Sequence, residues 1–143
     1  MKKILAFVLL TAFFITGCSK ELSTIEQSVW SLQAVQGSLE NNGQIIAYGS
    51  EAAEIPENAP VIQMICEATK GTLTLTDATN EVSYIGSYTH SSSDSHSEIY
   101  VITLEGAEGM AVVSETTYQD NSETDTLIIR LDDYSLNFFA SRE

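Results

Sequence analysis

The chain has 143 residues, and its 20 Asp and Glu against 6 Lys and Arg give a formal net charge of −14. Such an acidic chain argues against a nucleic-acid partner, because phosphate groups are bound by clustered Lys and Arg. The length is that of one domain, which disfavours a two-domain enzyme.

The first 17 residues have the pattern of an export signal. Lys2 and Lys3 give a basic start, and the apolar run over residues 4–15 is shorter than the roughly 20 residues that a membrane-spanning helix needs. The run ends in Ile15-Thr16-Gly17-Cys18, which resembles the lipobox of bacterial lipoproteins. The resemblance implies cleavage before Cys18 and a lipid on Cys18 that anchors the mature chain to a membrane. The alternative is an ordinary secretory signal with an incidental cysteine.

Removal of residues 1–17 takes the formal net charge from −14 to −16, because Lys2 and Lys3 are lost. With Cys18 lipidated, Cys66 has no partner for an internal disulfide, and its apolar surroundings indicate a core residue. We interpret residues 18–28 as a lipidated tether, in which Ser23 to Glu26 fit a capping box. We expect the mature chain to lie in the cell envelope. Ser19 after the lipidated cysteine favours its outer membrane, by the sorting rule of enterobacterial lipoproteins.

Residues 29–143 form the predicted folded domain. Residues 29–35 alternate, with Trp30 on the apolar face, and predict a half-buried strand. Asn42-Gly43 then predicts a tight hairpin turn into a second strand over residues 44–48. Residues 50–60 carry three glutamates and two prolines and predict a solvated acidic loop, with a lid over one end of the domain as the alternative.

Seven further strand-length segments follow with short connections between them. Connections this short favour antiparallel neighbours, so we expect an all-β antiparallel meander that forms a small barrel of about eight to nine strands. The segments are residues 61–66, 72–76, 82–89, 98–104, 110–118, 126–131 and 135–140.

The order of several motifs resembles the lipocalin-like lipoproteins of Bacteroidetes. These motifs are the lipobox, the early Val29-Trp30-Ser31-Leu32 strand, the acidic loop, the Thr-Leu-Thr-Leu strand at residues 72–75 and the closing hairpin over residues 127–138. The resemblance covers nearly the whole mature chain and implies a small lipocalin-like β-barrel on a lipid anchor, without a defined substrate.

Two non-enzymatic functions fit such a barrel. One is an interaction module that docks an envelope protein through its outer surface or a strand edge. The other is a binding protein for a small apolar ligand in the barrel mouth near residues 50–60. Candidate ligand-binding residues are the aromatic side chains of Trp30, Tyr84, Tyr88 and Tyr100, for which core packing is the alternative.

The interior side chains bear on this choice. Gly86, Ala111 and Ser114 are small enough to leave room for a ligand. The large aliphatic residues favour a filled barrel with a narrow cavity or none. We expect these to point inward: Leu73, Leu75, Ile99, Val101, Leu127 and Ile129.

A metal-binding or hydrolytic function is the third possibility. His90, Asp94, His96 and Glu98 have side chains that suit zinc, but they lie in a serine-rich segment that reads as a solvated hairpin tip. Residues 120–125 lack the glycine of an EF-hand loop and indicate a plain turn. The serines lack a nucleophile elbow. We therefore predict no cofactor, no metal and no enzymatic activity.

Overall fold

The computed structural model describes residues 24–38 and 42–141, and within them the chain forms ten β-strands and no helix. The all-β prediction is confirmed for this part of the chain. The strands are β1 (Trp30–Gly37), β2 (Ile45–Gly49), β3 (Val61–Ile62), β4 (Met64–Thr69), β5 (Thr72–Asp77), β6 (Val82–Ser93), β7 (Ser97–Leu104), β8 (Ala107–Thr117), β9 (Glu123–Arg130) and β10 (Tyr134–Ala140).

Eight of these strands close into a barrel. From β4 to β10 each strand pairs antiparallel with the next one in the chain. β10 pairs with β1 over seven residue pairs, and the start of β1 pairs with β4, so the ring is complete. The predicted meander of eight to nine strands is confirmed as a closed, eight-stranded antiparallel barrel with two extra strands.

The extra strands β2 and β3 extend from the C-terminal half of β1. Asn42 and Gly43 have φ angles of 63° and 60°, as a tight hairpin turn requires, and β2 pairs antiparallel with β1. β3 pairs with β2 in parallel. The sequence pattern merged β3 and β4 into one strand. The structure separates them at Gln63, whose backbone N–H donates to Thr79 Oγ1 at 2.8 Å instead of to a strand.

The barrel interior is filled by apolar side chains. Trp30 is fully buried, as predicted, and so are Leu73, Leu75, Leu127 and Ile129. The prediction for β7 is wrong: Val101 is 54% exposed, and Ile99 shares its outward face. The inward side chains of β7 belong to the alternate positions Tyr100, Ile102 and Leu104.

The small residues of the wall do not leave an obvious ligand space. A Cβ on Gly86 would lie 2.0 Å from Thr103 O, so this glycine permits close approach of the β6 and β7 backbones. Ala111 is buried and faces inward, but Ser114 lies on the opposite face of β8, where its hydroxyl is 3.0 Å from Thr126 Oγ1.

Two connections differ in how well the sequence described them. Residues 50–60 contain no strand, as predicted. The serine-rich segment is not a loop over its whole length: β6 runs to Ser93 and β7 begins at Ser97, so only three residues form the tip. The described residues contain no helix that could span a membrane.

Candidate functional site

The segment before β1 closes one end of the barrel, which we call the lower mouth. Residues 24–27 form a turn in which Gln27 N donates to Thr24 O at 3.2 Å and Thr24 N donates to Gln27 Oε1 at 3.0 Å. The predicted capping box began at Ser23, which lies outside the described residues. The observed turn is displaced by one residue, and its Gln27 side chain returns to the backbone in the way predicted for Glu26.

Ile25 is the side chain that seals this mouth. It is fully buried, its N–H donates to the Tyr100 hydroxyl at 3.3 Å, and its carbonyl accepts a hydrogen bond from Trp30 Nε1 at 2.9 Å. Within the described part of the predicted tether, Ile25 is therefore packed into the core, whereas Glu26 and Gln27 stay exposed. An isolated apolar residue in a polar tether was the only sequence signal for this role.

Beside Ile25 the lower mouth contains a recess of about 380 Å³, which we call the mouth recess. Its walls come from the entering segment and from the long β6–β7 hairpin. The lining residues are Thr24, Ile25, Glu26, Tyr88, His90, Ser93, Glu98 and Tyr100.

Two of the four candidate ligand-binding residues line this recess. Tyr88 and Tyr100 meet edge to face with ring centroids 5.9 Å apart, and the His90 ring meets Tyr100 similarly at 5.5 Å. Trp30 is buried in the core, and Tyr84 is partly buried against it. The aromatic candidates are thus divided between the recess and the core, and residues 50–60 do not contribute to this recess.

The polar side chains of the recess are linked in pairs. The Tyr88 hydroxyl donates to Glu26 Oε1, and burial raises the pKa of Tyr88, with the hydrogen bond to Glu26 as the next cause. Burial likewise raises the pKa of Tyr100. Both phenols therefore stay protonated and act as donors or acceptors without charge at neutral pH.

On the other side of the recess His90 and Ser93 share one carboxylate oxygen. Glu98 Oε2 lies 2.6 Å from His90 Nε2 and accepts a hydrogen bond from Ser93 Oγ at 2.6 Å. The Ser93 bond, followed by the His90 bond, lowers the pKa of Glu98 below its usual range. Glu98 is therefore ionised at neutral pH.

This serine, histidine and glutamate do not have the geometry of a catalytic triad. In a triad the acid orients one imidazole nitrogen while the other takes the proton of the serine. Here Glu98 and Ser93 both contact Nε2 of His90, at 2.6 and 3.0 Å, so no relay runs through the ring.

The other candidate metal ligands have different roles in the hairpin. Asp94 Oδ1 accepts hydrogen bonds from the backbone N–H groups of His96 and Ser97 at 2.7 and 2.8 Å, which closes the tip. Across residues 24–38 and 42–141 no three His, Cys, Asp or Glu side chains are grouped so that they could hold a metal ion. Residues 120–122 form a turn in which Asp120 accepts from Ser122.

A second, larger recess of about 850 Å³ lies at the opposite, upper end. It is formed by the β1–β2 and β9–β10 connections, and its charged lining residues are Arg130, Asp132 and Asp133.

The outer wall carries an apolar stripe across three neighbouring strands. Val101 of β7 pairs with Met110 of β8, and these side chains are 54% and 45% exposed. In the adjacent row Ile99, Val112 and Ile128 stand side by side and are half-buried. We call these five residues the outer stripe.

The fold therefore defines a small closed β-barrel with a filled interior, a recess at the lower mouth and an apolar stripe outside. No family model matches the chain, and searches of curated proteins and of solved structures found no significant match. Cys18 lies outside the described residues, so its lipidation stays a prediction.

Proposed function

We propose that this protein is a lipid-anchored lipoprotein of the bacterial cell envelope whose lipocalin-like barrel acts as a non-enzymatic interaction module. The lipid on Cys18 holds the barrel at a membrane, most simply the outer membrane, and the outer stripe docks an envelope protein. The sequence supports the anchor, and the outer stripe of the barrel supports the docking role.

The observation that carries the docking role is the contrast between the two faces of the barrel wall. Inside, large side chains such as Trp30 and Phe138 fill the space that a ligand of a cup-shaped barrel would occupy. Outside, apolar side chains on three neighbouring strands lie next to each other in the outer stripe. Clustered exposed apolar side chains are typical of protein interaction sites.

The anchor is tested by Cys18→Ala. We expect this variant to leave the membrane fraction and to lose incorporation of radiolabelled palmitate, because it has no thiol to accept the lipid. Ser19→Ala is the matched control and should keep both properties. A Cys18→Ala protein that still fractionates with membranes would refute the anchor.

The docking surface is tested by photocrosslinking in the native host. A benzoylphenylalanine at Val101 or at Met110 should give the same single adduct with an envelope protein. The matched control is Glu67 on β4, which is exposed and lies four strands from β8 in the ring of eight. Equal adducts from Glu67, or none from the outer stripe, would contradict the proposal.

A further inference from the structure

We propose that the mouth recess binds a small organic cation, an amine or a quaternary ammonium group. This site is separate from the outer stripe and does not depend on the lipid anchor. It rests on three observations: the size of the recess, its aromatic side chains and the sign of its charge.

The size and the position of the recess suit a small ligand. Its volume of about 380 Å³ falls in the range of small-molecule sites, and it opens where the chain enters the barrel. Ile25 already fills the apolar space beneath it and is fully buried. A ligand in the recess therefore meets the polar and aromatic side chains above Ile25.

The aromatic side chains offer faces to a cation. Tyr88 and His90 both meet the Tyr100 ring at 78°. Tyr100 is only 4% exposed, so the rings that a ligand can reach are those of the partly buried Tyr88 and of His90, whose side chain is 51% exposed. A cation within about 6 Å of such a face is attracted by the negative charge of the π system.

The charge of the lining selects for cations against anions. Among the described lining residues, Glu26 and Glu98 are the acidic side chains, and there is neither Lys nor Arg. The hydrogen bonds from Ser93 and His90 keep Glu98 ionised, because they lower its pKa. The chain as a whole is strongly acidic, which raises the local concentration of any cation near the mouth.

The distribution of hydrogen bonds leaves the carboxylates able to accept more. Glu98 receives its two bonds on Oε2, and Glu26 receives the Tyr88 hydroxyl on Oε1. A carboxylate has about four lone-pair sites on its two oxygens. An ammonium group can therefore contact these carboxylates without displacing Tyr88 or Ser93.

The test compares choline with 3,3-dimethylbutan-1-ol, which has the same shape and no charge. The full chain is held in dodecyl maltoside, a detergent without a charged headgroup, and titrated while its NMR spectrum is recorded. We expect choline to shift the resonances of His90 and Tyr100 saturably and the alcohol to leave them unchanged. Equal shifts with both probes, shifts confined to other residues or no saturable shift at millimolar choline would overturn the proposal.

Two substitutions locate the site. Glu98→Gln and Glu26→Gln remove one negative charge each with little change in shape, and each should weaken choline binding about tenfold. Glu108→Gln, at an exposed position near the upper end, should bind choline like the native chain. Trp30 emission reports whether each variant is folded. If Glu98→Gln does not fold, the Glu26→Gln variant, which changes an exposed side chain, decides the outcome. Unchanged affinity in folded variants would overturn the proposal.

Discussion

The thiol of Cys66 lies inside the barrel wall and should be chemically inert. It is fully buried, and burial, with a smaller contribution from Glu67, raises its pKa to about 12. Because the thiolate is the reactive form, we expect iodoacetamide at pH 8 to leave Cys66 unmodified in the native chain. We expect the same reagent to alkylate Cys66 in about 8 M urea, a concentration that unfolds most small domains. Mass spectrometry of the peptide that contains Cys66 measures this. Rapid alkylation of the native protein would show that this part of the wall opens.

Asp94 at the tip of the β6–β7 hairpin should titrate below its usual range. Its pKa is lowered mainly by the backbone N–H groups of His96 and Ser97, and then by the Ser97 hydroxyl. A lowered carboxyl pKa stabilises the hairpin at pH values above the unfolded-state pKa of about 4, and this stability is lost as the pH falls through the folded-state pKa.

Carbon-13 NMR of the side-chain carboxyl measures this pKa directly. Ser97→Ala should raise the pKa of Asp94, because it removes the hydroxyl contacts at 3.1 Å. Ser95→Ala changes the same tip without touching those bonds and should leave the pKa as it is. The same pKa in both variants would assign the shift to the backbone alone.

At single positions the sequence predicts most clearly which side chains point inward where polar and apolar residues alternate. Leu73 and Leu75 stand between threonines, so their inward direction was clear and is confirmed. Residues 99–102 are apolar without interruption, so a period of two cannot tell which face is inside. For this reason the sequence pattern places Val101 on the wrong face, whereas its neighbour Tyr100 is the buried residue.

At the scale of elements, strand existence was easier to predict than strand ends. Serine has no strong preference against a strand, and cross-strand pairing with β7 extends β6 through residues 90–93. The register shift between His90 and Ser92 is invisible in the sequence. Because the mouth recess depends on this extension, the juxtaposition of His90 with Tyr100 could not be predicted either.

The entering turn should contribute to the stability of the barrel through Ile25. Ile25→Ala removes most of a fully buried side chain and should lower the free energy of unfolding by about 2–5 kcal/mol. Ile85→Ala is the matched control: this isoleucine is 60% exposed on the outer wall, so the cost should stay within about 0.5 kcal/mol.

Urea unfolding followed by Trp30 fluorescence measures both variants. Trp30 should emit at short wavelength in the native barrel and shift to the red on unfolding. Because its ring nitrogen donates to Ile25 O, its native emission also reports on the turn. Equal stabilities for the two variants would mean that the turn only rests on the barrel.

For the molecule as a whole, the short connections predicted the order of the strands but not how the ring closes. Closure depends on β10 pairing with β1, whose paired residues lie 97 to 110 positions apart along the chain. It also depends on β1 dividing its other edge between β4 and β2. Such pairings between distant segments leave no local pattern in one sequence. The division of β1 explains how nine predicted segments produce an eight-stranded ring with a side extension.

The filled interior makes a final prediction about ligands. The native barrel purified from its own host should carry no apolar ligand inside, because Trp30, Leu73, Leu75 and Phe138 occupy the interior with at most 1% of their surface exposed. Native mass spectrometry of the Cys18→Ala chain should give the mass of the bare polypeptide. Leu75→Ala is the positive control, since a dry cavity lined by apolar side chains takes up benzene when a leucine is truncated. Benzene should therefore bind Leu75→Ala and not the parent chain. If lipid extraction instead recovers one apolar molecule per parent chain, the barrel is a ligand carrier.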